Sequence, residues 1–249
     1  MRIVRIGFTP VKGGRHLRHD RVDLAPTGPV GDRVFCLLDP GRHRVLRTVE
    51  NPRLLQTVSR WREGVLSVEF PGATVEGLPV ETGSVQEVDY WGRPARVEII
   101  VGPWAAAYSR FLGYEVVLAR PVSAGEVVYG ASVSIVTTQA MRWLNQRIGR
   151  RLEPDRFRST FVIDSGADPS RRELAWLDRE LRVGQARVRV QSAVSRCGVI
   201  DLDPLTGRRD APVLKALAES EAGNPRLEFG VDAVVTAPGR ARVGDPVGC

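Results

Sequence analysis

Along the first hundred residues, apolar and polar positions alternate in short runs that turn residues interrupt. This period of two predicts strands over 3–8, 33–38, 45–48, 54–58 and 65–70. Asp39-Pro40-Gly41-Arg42 and Trp91-Gly92-Arg93-Pro94 carry tight-turn residues, and 84–90 and 95–101 read as the arms of a hairpin around the second. The period then lengthens. Trp104, Tyr108, Phe111 and Leu112 fall on one helical face, Pro103 suits the first turn, and Gly113 suits the stop. A strand is expected over 115–120. The loop-like segment 123–130 marks a candidate boundary, dividing the chain into 1–122 and 123–249.

The second half mixes its elements. A strand over 132–137 leads to Thr138 as the cap of a helix, with Met141, Leu144 and Ile148 on one face and Gly149 at its end. Strands follow over 160–163, 181–183 and 187–194, the last two as a hairpin about Gly184-Gln185. A short helix over 212–220 precedes strands over 227–236 and 241–246, with a turn at Pro238-Gly239. No signature of a parallel sheet stands out. The expected fold class is mostly β, built as small barrels with a few helices.

Composition narrows the function classes. At 249 residues, 43% apolar and 26% charged, the chain has material for a core without disulfide staples. No run of about 18 apolar residues exists, so no membrane helix is expected. The opening residues read as a strand and not as a signal peptide. Cys36, Cys197 and Cys249 form no C-x-x-C pair, which speaks against a cysteine zinc site or an iron–sulfur cluster. So sparse a set also suggests a reducing compartment, and a cytoplasmic location is expected. Cys249 reads as a tail residue, with a persulfide-carrying role as its alternative.

Thirty-six basic residues against 29 acidic ones give a net charge of +7, and only Lys12 and Lys215 are lysines. The plain reading is a solvated, arginine-rich surface. The sharper reading is a basic pocket for a phosphorylated or anionic ligand, because guanidinium forks onto phosphate. Nucleic acid is a weaker option, resting on Arg147, Arg150, Arg151, Arg156 and Arg158 in a chain with few aromatics and no RNP, KH or zinc-finger signature. Phosphate-loop, dinucleotide, H-E-x-x-H and G-x-S-x-G motifs are absent, and the three histidines all precede residue 44.

The most informative stretch is 194–207. Cys197 follows an alternating apolar run, so it falls where a strand ends, with Arg196 beside it. A neighbouring cation favours thiolate, the form that attacks or binds metal. A buried, inert cysteine is the alternative.

Around this stretch the chain resembles the MOSC family, the molybdenum cofactor sulfurase C-terminal domains, including members like the mitochondrial amidoxime-reducing component and its bacterial relatives. The matches run in order. Pro10-Val-Lys-Gly13 resembles P-V-K-S, Gly31-Asp-Arg33 resembles G-D-R, and Asn51-Pro-Arg-Leu54 resembles E-P-R-L. Phe157-Arg-Ser-Thr160 resembles F-R-P-N, and Ser195-Arg-Cys197 with Asp203-Pro-Leu-Thr-Gly207 resembles S-R-C…D-P-D-T-G. Phe229-Gly-Val and Val243-Gly-Asp-Pro-Val resemble the closing strands.

The resemblance implies an N-terminal β-barrel domain over 1–122 and a MOSC domain over 123–249. It implies Cys197 as the protein thiolate on molybdenum, with Lys12, Gly13, Arg33, Thr137, Arg158, Thr160 and Arg196 around the molybdopterin. The implied activity is oxygen-atom transfer from N-hydroxylated or other N-oxygenated substrates. Electrons would come from a separate ferredoxin- or cytochrome-like donor, with no membrane partner. A sulfur carrier using a Cys197 persulfide is the first alternative, and a non-catalytic anion- or nucleic-acid-binding barrel is the second. The chain departs from the family pattern at Gly13, which loses a hydroxyl, at Thr160, which loses an amide, and at Leu205, which replaces an acid.

Overall fold

The structure, a computed structural model, describes residues 1–166, 172–219 and 226–248. Cys249, most of the 166–172 loop and the end of the 212–220 segment lie outside these residues. The largest element is an eight-stranded sheet. Its order is Val247–Gly248, Glu180–Val183, Ala186–Ser195, Glu228–Ala237, Val133–Thr137, Phe161–Asp164, Arg2–Phe8, Leu17–His19. Alternation gives the sheet two faces. One buries Ile3, Ile6, Ile135, Phe161, Val188, Val190 and Val231. The other sets Val136, Val162 and Phe229 against Ala140, Met141 and Leu144 of a helix over Thr138–Ile148.

Val80–Tyr90, Arg93–Val101, Val117–Pro121, Cys36–Asp39 and Arg44–Val45 form a closed barrel. Its lining includes Cys36, Leu38, Val88, Tyr90 and Val97. A three-stranded sheet, Val58–Arg62, Val65–Phe70 and Ala73–Gly77, and a helix over Trp104–Leu112 share the neighbouring core of Phe35, Leu54, Leu66, Trp104 and Tyr108. The mostly β class holds. No helix of the described residues is long and apolar enough to cross a membrane.

Several local expectations change. The sheets do not part at residue 122, because Arg2–Phe8 pairs with Phe161–Asp164 and Arg21–Ala25 pairs with Gly239–Arg242. The first strands therefore belong to sheets of the second half. An alternating pattern specifies which face a strand buries, but not which partner it finds. Residues 52–56 form a 3-10 turn, with Pro52 at its start, and the strand begins only at Val58. Thr137, not Thr138, caps the following helix. Val133–Thr137 and Phe161–Asp164 run parallel, joined across that helix, which corrects the expectation of no parallel pairing. One crossover inside an antiparallel sheet leaves no long apolar run to read. The Trp91-Gly92 turn is present, with φ of +58° at Trp91 and +81° at Gly92.

Candidate functional site

Cys197 sits where the Ala186–Ser195 strand gives way to a 3-10 turn over Gly198–Asp201, and it is exposed. The turn closes on it, since Ile200 N–H donates to the Cys197 carbonyl at 3.2 Å. Buried Arg156 pins the next residues. Its Nη1 donates to the Ile200 carbonyl at 3.1 Å and the Leu202 carbonyl at 2.7 Å, and pairs with Asp210 at 2.8 Å. Such charge-assisted bonds are stronger than neutral ones, so the backbone that presents the thiol is held from below.

Arg196 does not turn toward its neighbour. Its Nε donates to the Phe229 carbonyl at 2.7 Å and its Nη1 to the Phe157 carbonyl at 2.9 Å, with the guanidinium over the Phe157 ring. It fastens the strand end while lining the same cavity.

Three cations from distant parts of the chain converge here. Lys12 is carried by a turn whose Gly13 has φ of +93°, and a Cβ there would come within 2.9 Å of Leu54 Cδ1. Glycine is the residue this turn admits, which explains the missing hydroxyl. Lys12 N–H donates to the Phe35 carbonyl at 2.8 Å, and Nζ donates to the Leu46 carbonyl at 3.0 Å, 5.1 Å from the Tyr90 ring centroid. Burial, seconded by the positive charges of Arg33 and Arg158, pulls the Lys12 ammonium down to about 7; Cys36 and Cys197 act in the opposite sense. Arg158 ends a 3-10 turn in the left-handed region, φ +52°, and donates from Nη1 to the Gly14 carbonyl at 2.8 Å. Burial, then Arg33, lowers it to about 10. Arg33 also has a left-handed φ, +48°, and pairs with Asp32 at 2.8 Å. Two bulky residues held at positive φ mark strain that the surrounding fold maintains.

Arg33, Arg158, Arg196 and Cys197 line one cavity of about 220 Å³, together with Trp91, Tyr129, Ser134 and Asp232. Lys12 and Arg158 both lie within electrostatic reach of Cys197. Two expected residues are engaged elsewhere. Thr137 Oγ1 donates to Glu173 at 2.7 Å and accepts from Ala140 N–H at 3.0 Å, which occupies it as a helix cap. Thr160 exchanges two hydrogen bonds with Ser134, each 3.2 Å, and so braces a cavity-lining residue from behind. The arginines 147, 150, 151, 156 and 158 do not make one basic face, because Arg156 is buried on Asp210, Arg150 shares that carboxylate, and Arg158 faces the cavity.

Sequence reasoning missed Tyr90, Trp91, Tyr129 and Asp232. Two signals were there to find. Trp91 stands at a turn position that favours Asn, Asp or Gly, and Asp232 is an acid flanked by apolar residues in the middle of a strand. Among the described residues no group of three or more His, Cys, Asp or Glu gathers, so a metal beside Cys197 would depend on ligands from a cofactor.

A family model for the MOSC domain matches residues 115–248, more than half of the chain. The chain belongs to the MOSC domain family. This MOSC protein is also 25% identical over 265 aligned positions to a molybdenum cofactor sulfurase of Anopheles gambiae, which covers 92% of the chain and 34% of that relative. The chain thus spans about a third of the length of the curated relative it matches. Among solved structures, it is similar to the YuaD protein of Bacillus subtilis, with TM-score 0.46, 11% identity, 99% of this chain and 93% of that one. YiiM of Geobacillus stearothermophilus gives TM-score 0.34 and 14% identity over 47% of this chain and 52% of that one.

Two of the matched motifs form a seam in this MOSC protein. A Cβ on Gly207 would run into the Pro52 carbonyl, and Gln56 Nε2 donates to the Thr206 carbonyl at 2.8 Å. Asp203 shapes that loop by accepting from Leu205 N–H and from Thr206 N–H and hydroxyl. Asn51-Pro-Arg-Leu54 and Asp203-Pro-Leu-Thr-Gly207 therefore serve packing between the two halves.

Proposed function

We propose that this MOSC protein binds a molybdenum–pterin cofactor beside Cys197 and reduces N-hydroxylated or other N-oxygenated compounds. The observation that carries this reading is that Arg33 and Arg158 line one cavity with the exposed thiol of Cys197, with Lys12 buried within electrostatic reach of all three. The residues fit the group. Burial, with neighbouring positive charge behind it, lowers both Lys12 and Arg158, and an arriving phosphate relieves both. An exposed cysteine sulfur suits a soft or redox-active metal.

In this reading Cys197 holds the metal, and Arg33, Arg158 and Lys12 hold the phosphate. Lys12, lowered to about 7, takes up a proton as the anion arrives. Arg156 and Arg196 keep the thiol-bearing backbone in place. When bound, the cofactor supplies two-electron oxygen-atom transfer; the protein supplies position and electrostatics. Electrons come from a separate ferredoxin- or cytochrome-like donor, which a basic surface attracts.

Protein from a cofactor-competent host is expected to carry about one molybdenum per chain and to reduce an N-hydroxylated compound with an artificial reductant. Cys197→Ala is expected to lose both. Stoichiometric metal in that variant would overturn the assigned ligand. A second reading, sulfur transfer through a Cys197 persulfide, is favoured by the exposure of the thiol and by the sulfurase named above. Intact-mass measurement separates the two: one extra sulfur atom on Cys197 without metal supports the carrier.

A further inference from the structure

Behind Arg158, a charged pair reaches across the two halves of the chain. Arg5 lies in the Arg2–Phe8 strand, whose register against Phe161–Asp164 shifts between Ile3 and Arg5. Because of that bulge Ile3 and Ile6 bury in one core, although a regular strand would point them to opposite faces. Arg5 falls on the other face, opposite Val162, which packs in the second core. It is buried there, and it pairs with partly buried Asp155 in the 3-10 turn Pro154–Phe157, just before Arg158. Burial is the largest influence on both partners, lowering Arg5 and raising Asp155, and each opposes that shift in the other. Ion pairs so desolvated are poor sources of stability, so what this one does to its surroundings matters more than its strength.

Side chains three apart in a 3-10 turn line up. Asp155 and Arg158 are spaced in this way, and the Arg158 N–H donates to the Asp155 carbonyl at 3.1 Å. Their charges act on each other, yet no ion pair of the described residues joins them. Two features keep them apart. Arg5 holds the carboxylate, and the left-handed φ of Arg158, +52°, turns its side chain to the Gly14 carbonyl and the cavity. Arg18 also acts on Asp155, but it is exposed, so water screens its pull. Arg158 is desolvated, so an unclaimed carboxylate would draw it strongly.

We propose that Arg5 is a positioning residue: by claiming the Asp155 carboxylate it prevents that carboxylate from neutralising Arg158, and it leaves the Arg158 guanidinium open to an anion in the Cys197 cavity. The role rests on the proposed reading, in which Arg158 meets the cofactor's phosphate. Arg5 touches neither the anion nor the thiol. It acts through Asp155, and Asp155 acts through the charge and direction of Arg158. Removing Arg5 therefore harms anion binding only while Asp155 keeps its charge.

The test is calorimetric titration of the full, cofactor-free chain with inorganic phosphate at low ionic strength. Arg158→Met and Arg5→Met are each expected to weaken phosphate about tenfold. The double variant Arg5→Met/Asp155→Asn should return to within about twofold of the native protein, because it removes the freed carboxylate along with its partner. A merely structural pair predicts the reverse, since a second substitution would not repair a misshapen turn. Where Arg5→Met does not fold, Arg5→Gln takes its place, with a loss of about threefold and the same rescue by Asp155→Asn. Full phosphate affinity in the Arg5 variant, or a double variant as weak as the single one, overturns the positioning role. Those outcomes leave the anion site standing if Arg158→Met has lost affinity. Phosphate binding that is unaltered in Arg158→Met overturns the anion reading of Arg158, and the role of Arg5 falls with it.

Discussion

The protein places one cysteine in the wall of the barrel and another at the end of a sheet strand, and the two regions treat the same side chain in opposite ways. Cys36 is fully buried between Leu38, Val45, Val88 and Ala119. Burial pushes its thiol up to about 12, against the pull of Lys12. Cys197 is exposed beside a cavity, on a backbone clamped by Arg156 and Arg196. A thiol in an apolar wall is a small hydrophobe, and a thiol at a solvated strand end is open to reagents and ligands. Lys12 lies between the regions, since both cysteines act on its ammonium.

The largest expected effect concerns reactivity. In the native protein, iodoacetamide near pH 8 should modify Cys197 roughly a thousandfold faster than Cys36, as read by peptide mass spectrometry, and urea should abolish the difference. Equal native rates would break the comparison.

Next in size is the clamp. Arg156→Met leaves Asp210 without its buried partner and frees two carbonyls, and should cost about 3–5 kcal/mol in a denaturant melt. A cost below about 1 kcal/mol would show that the loop carrying Cys197 holds itself.

The cysteines themselves come third. Cys36→Ser introduces a hydroxyl into an apolar wall and should cost about 1–3 kcal/mol. Cys197→Ser should stay within about 0.5 kcal/mol, because its side chain is exposed. Reversal of that order in a thermal melt would mean the two environments have been misassigned.

The last comparison is a pH slope. Lys12 binds a proton less readily when folded, so between about 7 and its unfolded value of 10.5 the unfolded chain holds more protons. Stability therefore rises with pH through that window, and the cost of charging the buried ammonium is fully present below it. Cys36 acts in reverse: its raised thiol makes stability fall from its ordinary value of 9.0 toward 12. The clean interval is about pH 7 to 9. There Lys12→Met should flatten the rise seen in denaturant titrations of cofactor-free protein. An unchanged slope would remove Lys12 from the buried cation cluster.

Much of this was legible beforehand, for physical reasons. Period-two alternation and the Trp91-Gly92 turn encode the hairpin locally, since side-chain direction alternates with the backbone and the turn dipeptide tolerates positive φ. The Trp104–Leu112 helix and its stop at Gly113 are equally local. Cys197 was legible because an apolar strand ends just before it. At Thr137 and Thr160 the sequence alone leaves the role open, because a hydroxyl near a helix start serves a cap or a cross-strand bond as readily as a ligand, and only the tertiary structure brings up the neighbours Glu173 and Ser134. Arg196 was misread toward the thiol for a similar reason: its partners are the carbonyls of Phe157 and Phe229, far away in sequence.

By itself the sequence determined the β class, the hairpins, the helices and the run of motifs that marks a MOSC protein, because these depend on residues close together along the chain. The tertiary structure alone decided that residues 2–8 join the later sheet, that Arg156 is buried while Arg158 faces the cavity, and that Lys12, Trp91 and Asp232 share a neighbourhood with Cys197. Those outcomes depend on which surfaces meet when apolar faces are buried, and the burial that brings them together is non-directional, so no local pattern records it.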